Sequence, residues 1–201
     1  MMHDPMLHTI KQQIDALLST RERLLVAIDG RCASGKTTLS AALSHMLQAP
    51  VIHMDHFFLR PHMRTPERLR LPGGNVDKER FLEEVVPALQ QGKDVSYAPF
   101  DCHSGGFKAP IHIPAAPIIL VEGTYACSPE LWDCYDLRIF LTVDPQVQLQ
   151  RIEKRNGTAA VEAFRHRWIP LEEAYFQAFD IQERCQLTFD TTVPQVNPVT
   201  D

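Results

Sequence analysis

At 201 residues with 44% hydrophobic content, the chain is long enough for one globular domain with a sizeable core and a small lid. Lys and Arg total 20 against 25 Asp and Glu, and the net charge of -5 argues against broad electrostatic binding to nucleic acid. Five cysteines without a C-x-x-C pair argue against a disulfide framework or a zinc site and fit a reducing cytoplasm, and the lack of a long apolar run argues against a signal peptide or membrane span.

Met6, Ile10, Ile14, Leu17 and Leu18 recur at three- and four-residue spacings, which predicts a leading helix over 6–20 with one apolar stripe. From Leu24 to Asp29 an apolar run without helical gaps meets Gly30-Arg31-Cys32-Ala33-Ser34-Gly35-Lys36-Thr37-Thr38, a G-x-x-x-x-G-K-T pattern. It predicts a buried strand that turns through a phosphate-binding loop into a helix. Gly30 and Gly35 allow backbone conformations in which successive amides point at a polyphosphate. Lys36 can reach the terminal phosphates and the Thr37 hydroxyl can bind Mg2+ at the positive end of the helix, so a nucleoside triphosphate is the expected ligand. The bland alternative is a glycine-rich turn that merely precedes a helix, with the lysine solvated.

Leu39, Ala42, Leu43, Met46 and Leu47 extend that helix toward Pro50, and Val51-Ile52 form a short second strand. Ligand sites in open parallel sheets lie beyond the carboxyl ends of the strands, so Asp55 is expected on the same rim as the P-loop. Asp55 is thus a candidate base for an attacking hydroxyl, against the alternatives of an N-cap or a surface salt-bridge partner. His53 and His56 lack a third ligand and are not read as a metal site. Arg60, Arg64, Arg68 and Arg70, set among prolines and a Gly-Gly pair, predict a loop over the site whose arginines either meet phosphate or substrate or are simply solvated. Asp77 reads either as the N-cap of a helix with Phe81, Leu82, Val85, Val86 and Leu89 buried and Gly92 as its stop, or as a ligand for substrate hydroxyls. Residues 95–107 predict a small hairpin outside the main sheet, in which Tyr97, Phe100 and His103 stack on a planar ring or pack the hairpin itself.

Pro117 to Val121 form a third core strand, and Glu122 at its end is a Walker B-like carboxylate for Mg2+ or substrate, or a structural acid. Residues 136–143 supply a fourth strand, and Asp144-Pro145 starts a helix. Arg151, Lys154 and Arg155 near its end either balance the helix dipole or serve a lid over about 151–168 that closes on transferring phosphate. A second helical stretch follows Trp168-Ile169-Pro170, residues 185–190 read as an edge strand, and the tail from Val193 is expected to fray. The expected architecture is a single α/β domain over 1–201, a P-loop NTPase three-layer sandwich. Five parallel strands carry helices on both faces, with a lid and a substrate-side loop and hairpin at about 56–110 appended.

In their order along the chain, several of these pieces resemble the uridine kinase branch of the P-loop kinases, which includes phosphoribulokinase and pantothenate kinase. They are the P-loop at 30–38, Met54-Asp55-His56-Phe57-Phe58, Asn75-Val76-Asp77, Pro99-Phe100-Asp101 with His103, Val121-Glu122-Gly123, and Trp168-Ile169-Pro170 with Glu172, Glu173 and Phe176. The resemblance implies a cytoplasmic kinase that uses ATP and Mg2+ to phosphorylate the hydroxyl of a small metabolite, most nearly the 5'-hydroxyl of a nucleoside such as uridine or cytidine. It implies Asp55 as catalytic base, Asp77 as ribose ligand, and Arg151 and Arg155 as lid arginines. The chain departs from the family where Phe100-Asp101-Cys102-His103 is compressed and where the lid offers only Arg155-Asn156-Gly157. A kinase for another small alcohol, pantothenate-like or a sugar phosphate, and a nucleotide-binding regulatory ATPase are the competing readings. The expected partner is a small-molecule acceptor, without nucleic acid or membrane, and a homo-oligomer is left open.

Overall fold

A computed structural model describes residues 5–102 and 104–192. Helix α1 (Pro5–Leu18) leads into strand β1 (Leu24–Gly30), the P-loop, helix α2 (Lys36–Leu47) and strand β2 (Val51–His53). Two 3-10 turns (Met54–Phe57 and Pro61–Met63) and the short helix α3 (Pro66–Arg70) span the arginine-rich loop, followed by α4 (Lys78–Glu84) and α5 (Val86–Gln91). Short strands β3 (Val95–Tyr97), β4 (Phe100–Asp101), β5 (Gly106–Phe107) and β6 (Ile111–Ile113) precede the core strands β7 (Ile118–Glu122) and β8 (Leu137–Thr142). Then come α6 (Pro145–Asn156), α7 (Thr158–Ala163), a π-helical turn (Phe164–Trp168), α8 (Ile169–Phe179), α9 (Ile181–Arg184) and β9 (Leu187–Asp190).

The main sheet has the order β2-β7-β1-β8-β9 with every neighbouring pair parallel. Side chains alternate across a strand, and here the alternation divides two cores. Val26, Ile28, Leu120, Ile139 and Leu141 pack with Ile10 and Ile14 of α1 and Leu39 and Leu43 of α2. Ala27, Ile52, Val121 and Phe140 face the other way, against Phe81, Val85, Tyr175 and Phe176. Both faces are therefore covered by helices, which explains why β1 and β7 read as unbroken apolar runs. The architecture is the expected three-layer α/β sandwich with the five expected parallel strands.

Two local expectations need correction. The helix expected after Asp77 is two helices that meet at Val85, because Pro87 has no amide hydrogen and its ring crowds the carbonyl four residues earlier. The single hairpin is two small antiparallel ladders: β3 pairs with β6 and β4 with β5. Gly92 does close α5 in the left-handed conformation, with φ 63°. His103 and the tail from Val193 lie outside the described residues.

Candidate active site

The P-loop joins β1 to α2 at the carboxyl edge of the sheet. Gly30 has φ 136°, and a Cβ there would collide with the backbone of Leu141 on β8, so only glycine fits between the two strands. Ala33 and Gly35, at φ 58° and 97°, bend the chain around the cradle. Lys36 is buried and arches back over the loop, its Nζ donating to the carbonyls of Gly30 at 2.7 Å and Arg31 at 2.9 Å. The Ser34 hydroxyl is buried without a hydrogen-bond partner among the described residues and is suited to donate to an anionic oxygen.

Glu122, at the end of β7, stands beside the first turn of α2, with Thr37 Oγ1 3.4 Å from its Oε1. His53 Nδ1 lies 2.6 Å from the same oxygen, and this hydrogen bond to the carboxylate raises the His53 pKa against the opposing effect of burial. Asp55 sits in the turn after β2. It is exposed to solvent and lines the cleft. Desolvation and the neighbouring Glu122 push the Asp55 carboxyl above its ordinary value, and Lys36, His53 and Arg155 pull it back.

The P-loop, Asp55, Glu122, Arg151 and Arg155 line one cleft of about 1500 Å³. Arg151 of α6 is tied to the loop and to the end of β9: its guanidinium donates to Ala33 O at 3.3 Å, Thr191 Oγ1 at 3.2 Å and Thr191 O at 2.5 Å. Arg155 bonds only its neighbour, Asn156 Oδ1, at 2.7 Å among the hydrogen bonds of the described residues, and faces the cleft. The sequence-derived site residues thus separate into two groups. Asp77 is fully buried, caps α4 by accepting from the Arg80 amide at 3.1 Å, and meets Arg60 Nε at 3.1 Å. Tyr97 is buried against Phe57 and bonded to His56, and Phe100 packs edge-on against Phe107. None of these three lines the cleft.

Helix α8 contributes residues to which the sequence gave no role. Glu172 Oε2 accepts from the Cys32 amide at 2.9 Å, inside the P-loop itself. Glu173 grips Arg31 with two bonds of 2.7 and 2.9 Å, and Tyr175 donates to Asp29 Oδ2 at 2.9 Å. Asp29 is a fully buried carboxylate that also accepts from the amides of Gly30, Tyr125 and Cys127, so it joins β1 to the turn after β7. Burial pushes its pKa up while these donors pull it down. An acid inside an apolar run was the available signal for Asp29. Glu172 stood out only as part of the segment after Pro170 that carries the resemblance, and its contact could not be read because its partner lies 140 residues away.

Thr37 and Glu122 offer only oxygen donors, as a hard divalent cation requires. Among the described residues no group of three or more His, Cys, Asp or Glu side chains is placed to hold a metal. A Mg2+ ion would therefore complete its shell with phosphate oxygens and water. No described helix is long and apolar enough to cross a membrane.

No protein-family model matches the chain. Two curated proteins of Arabidopsis thaliana, the inorganic pyrophosphatases TTM2 and TTM1, are each 27% identical over 128 residues, 59% of this chain. The matched segment spans only 18% of those relatives. Among solved structures, a candidate fructose transport system kinase from Silicibacter sp. TM1040 is 26% identical with a TM-score of 0.69, covering 91% of this chain and 98% of that one. A possible uridine kinase from Bacillus stearothermophilus is 21% identical with a TM-score of 0.64, covering 90% of this chain and all of that one. The fold is that of the uridine kinase-like P-loop kinases.

Proposed function

We propose that this protein is an ATP-dependent kinase that transfers the γ-phosphate to a hydroxyl of a small metabolite. The observation that carries the reading is the convergence, in one cleft, of the P-loop with Lys36 and an aspartate after β2, Asp55, two strands away from β1 in the sheet. In this reading the amides of residues 33–38 and the Lys36 ammonium hold the polyphosphate, and Lys36 leaves its backbone acceptors to do so. Thr37 and Glu122 would hold Mg2+, which when bound neutralises charge on the phosphate oxygens. Asp55 accepts the proton of the attacking alcohol and orients its oxygen. Arg155 meets charge that develops on the transferring phosphoryl group. The nucleoside acceptor implied by the resemblance has less support, since Asp77, Tyr97 and Phe100 are engaged in capping and packing.

The test is a panel of nucleosides, pantothenate and sugar phosphates with Mg-ATP, read by ADP release and product mass. Asp55→Asn is expected to bind ATP within about twofold of wild type while kcat falls about 10²- to 10⁴-fold. Lys36→Ala is expected to lose both. Full turnover in Asp55→Asn, or hydrolysis of inorganic pyrophosphate in place of transfer to any alcohol, would exclude the reading.

A further inference from the structure

The last residue of β2 and the last residue of β7 are partners in the sheet. In the parallel pairing of the two strands His53 stands beside Glu122, and side chains at paired positions emerge on one face. The imidazole is thereby delivered to the carboxylate, with Nδ1 2.6 Å from Oε1. An ionised carboxylate only accepts, so Nδ1 carries the hydrogen in the neutral ring as well as in the charged one. Glu122 lines the cleft and His53 does not, so the ring holds the carboxylate from behind.

The contact fixes a group that would otherwise turn. The terminal torsion of a glutamate is broad, and a hydrogen bond to one oxygen sets it. As held, Glu122 turns both oxygens toward the first turn of α2, 3.4 and 3.5 Å from Thr37 Oγ1. The backbone on either side is constrained too. Gly123 has φ 141°, and a Cβ there would lie 2.8 Å from the Cβ of Met54, so the chain leaving β7 packs on the chain leaving β2. The His53 ring is backed edge-on by His56 at 5.3 Å, and His56 is bonded to the Tyr97 hydroxyl at 3.0 Å. Asp55 lies two residues after His53, in the 3-10 turn that begins at Met54.

We infer that His53 is a positioning residue for the divalent metal: it holds Glu122 in the orientation in which that carboxylate and Thr37 can meet Mg2+, and it joins this orientation to the turn that carries Asp55. The inference rests on the kinase reading above, from which it needs the Mg-nucleotide site. In this role His53 touches neither metal nor nucleotide, so its effect falls on metal affinity and not on nucleotide binding without metal. Outer groups of this kind are worth about 10- to 100-fold in metal affinity or activity.

Mn2+, an ion that shares the oxygen preference of Mg2+, is titrated into the full chain saturated with AMP-PNP and followed by electron paramagnetic resonance. His53→Ala is expected to weaken Mn2+ about 10- to 100-fold, with AMP-PNP binding in EDTA within about twofold of wild type. His53→Asn, whose amide can donate from near the position of Nδ1, is expected to recover part of the loss, and His53→Phe, a ring without a donor, none. In turnover with Mg-ATP, the Mg2+ concentration at half-maximal rate is expected to rise in His53→Ala by a similar factor. Unchanged Mn2+ affinity in His53→Ala overturns the inference. A fall in metal-free AMP-PNP binding as large as the fall in Mn2+ affinity also overturns it, because His53 would then only support the fold. Wild type that holds Mn2+ no better than AMP-PNP alone overturns the metal role and the kinase reading together. The expected Mn2+ losses with no transfer to any alcohol would keep the role of His53 and remove the kinase reading alone.

Discussion

At Glu172 the chain sets its own carboxylate against a P-loop amide, beside Lys36. Desolvation pushes the Glu172 pKa up, and Lys36 and the Cys32 amide, which favour the charged form, oppose it. A nucleotide phosphate drawn to Lys36 meets this like charge at short range. Glu172→Gln keeps an oxygen for the Cys32 amide and removes the charge, so ATP affinity is expected to rise about fivefold, about 1 kcal/mol, by calorimetry at pH 7. Weaker binding would mean that the charge serves to shape the loop. His56 gives a second prediction. Burial, with His53, Lys108 and Arg80 near by, lowers its pKa from 6.5 to about 4. A histidine depressed in the fold stabilises it fully above its unfolded pKa, and that contribution is lost as pH falls from about 6.5 through about 4. After allowance for solvent screening the loss is about 1 to 2 kcal/mol. Urea midpoints at pH 7 and pH 4.5 should drop less in His56→Gln than in wild type; equal drops would refute the assignment.

Helix α6 carries two arginines whose surroundings differ, and that difference separates their expected roles. Arg151 straps Ala33 of the P-loop to Thr191 after β9, so Arg151→Ala is expected to lower the melting temperature and to weaken ATP binding together. Arg155 bonds only its neighbour among the hydrogen bonds of the described residues, so Arg155→Ala is expected to leave the melting temperature within about 1 °C and to lower kcat about 10²- to 10³-fold. The opposite assignment of the two effects would exchange the roles given to the two arginines. Helix α6 was legible because a helix start at Asp144-Pro145 and a stop at Asn156-Gly157 bracket it, and local rules govern both ends. The P-loop was legible for the same reason, its spacing being fixed by the backbone of a single turn. Residues 95–107 were misread as one hairpin because β3 pairs with β6, beyond that stretch, across β4 and β5, and nested pairing leaves no mark in the local pattern. The grip of α8 on residues 29–32, through Glu172, Glu173 and Tyr175, escaped for a similar reason: only the tertiary fold brings those residues together.

For the whole molecule, the P-loop is the point through which most of the fold is cross-linked. Strand β1 carries it, β8 closes on Gly30, α8 holds residues 29, 31 and 32, and α6 and the end of β9 hold Ala33 and Ser34. A ligand seated there stabilises elements that are distant in sequence, and the gain follows mass action. At 100 times its dissociation constant, a ligand that binds only the folded state adds about 2.7 kcal/mol. For a chain of this size that is about 5 to 10 °C in melting temperature. Mg-ATP is therefore expected to raise the melting temperature of wild type by about this much. Asp55→Asn should keep the shift, because Asp55 acts on the acceptor and not on the polyphosphate, whereas Lys36→Ala should lose most of it. A full shift in Lys36→Ala would place the nucleotide outside the P-loop. A shift abolished in Asp55→Asn would instead make Asp55 part of the nucleotide site and leave the acceptor alcohol without a base.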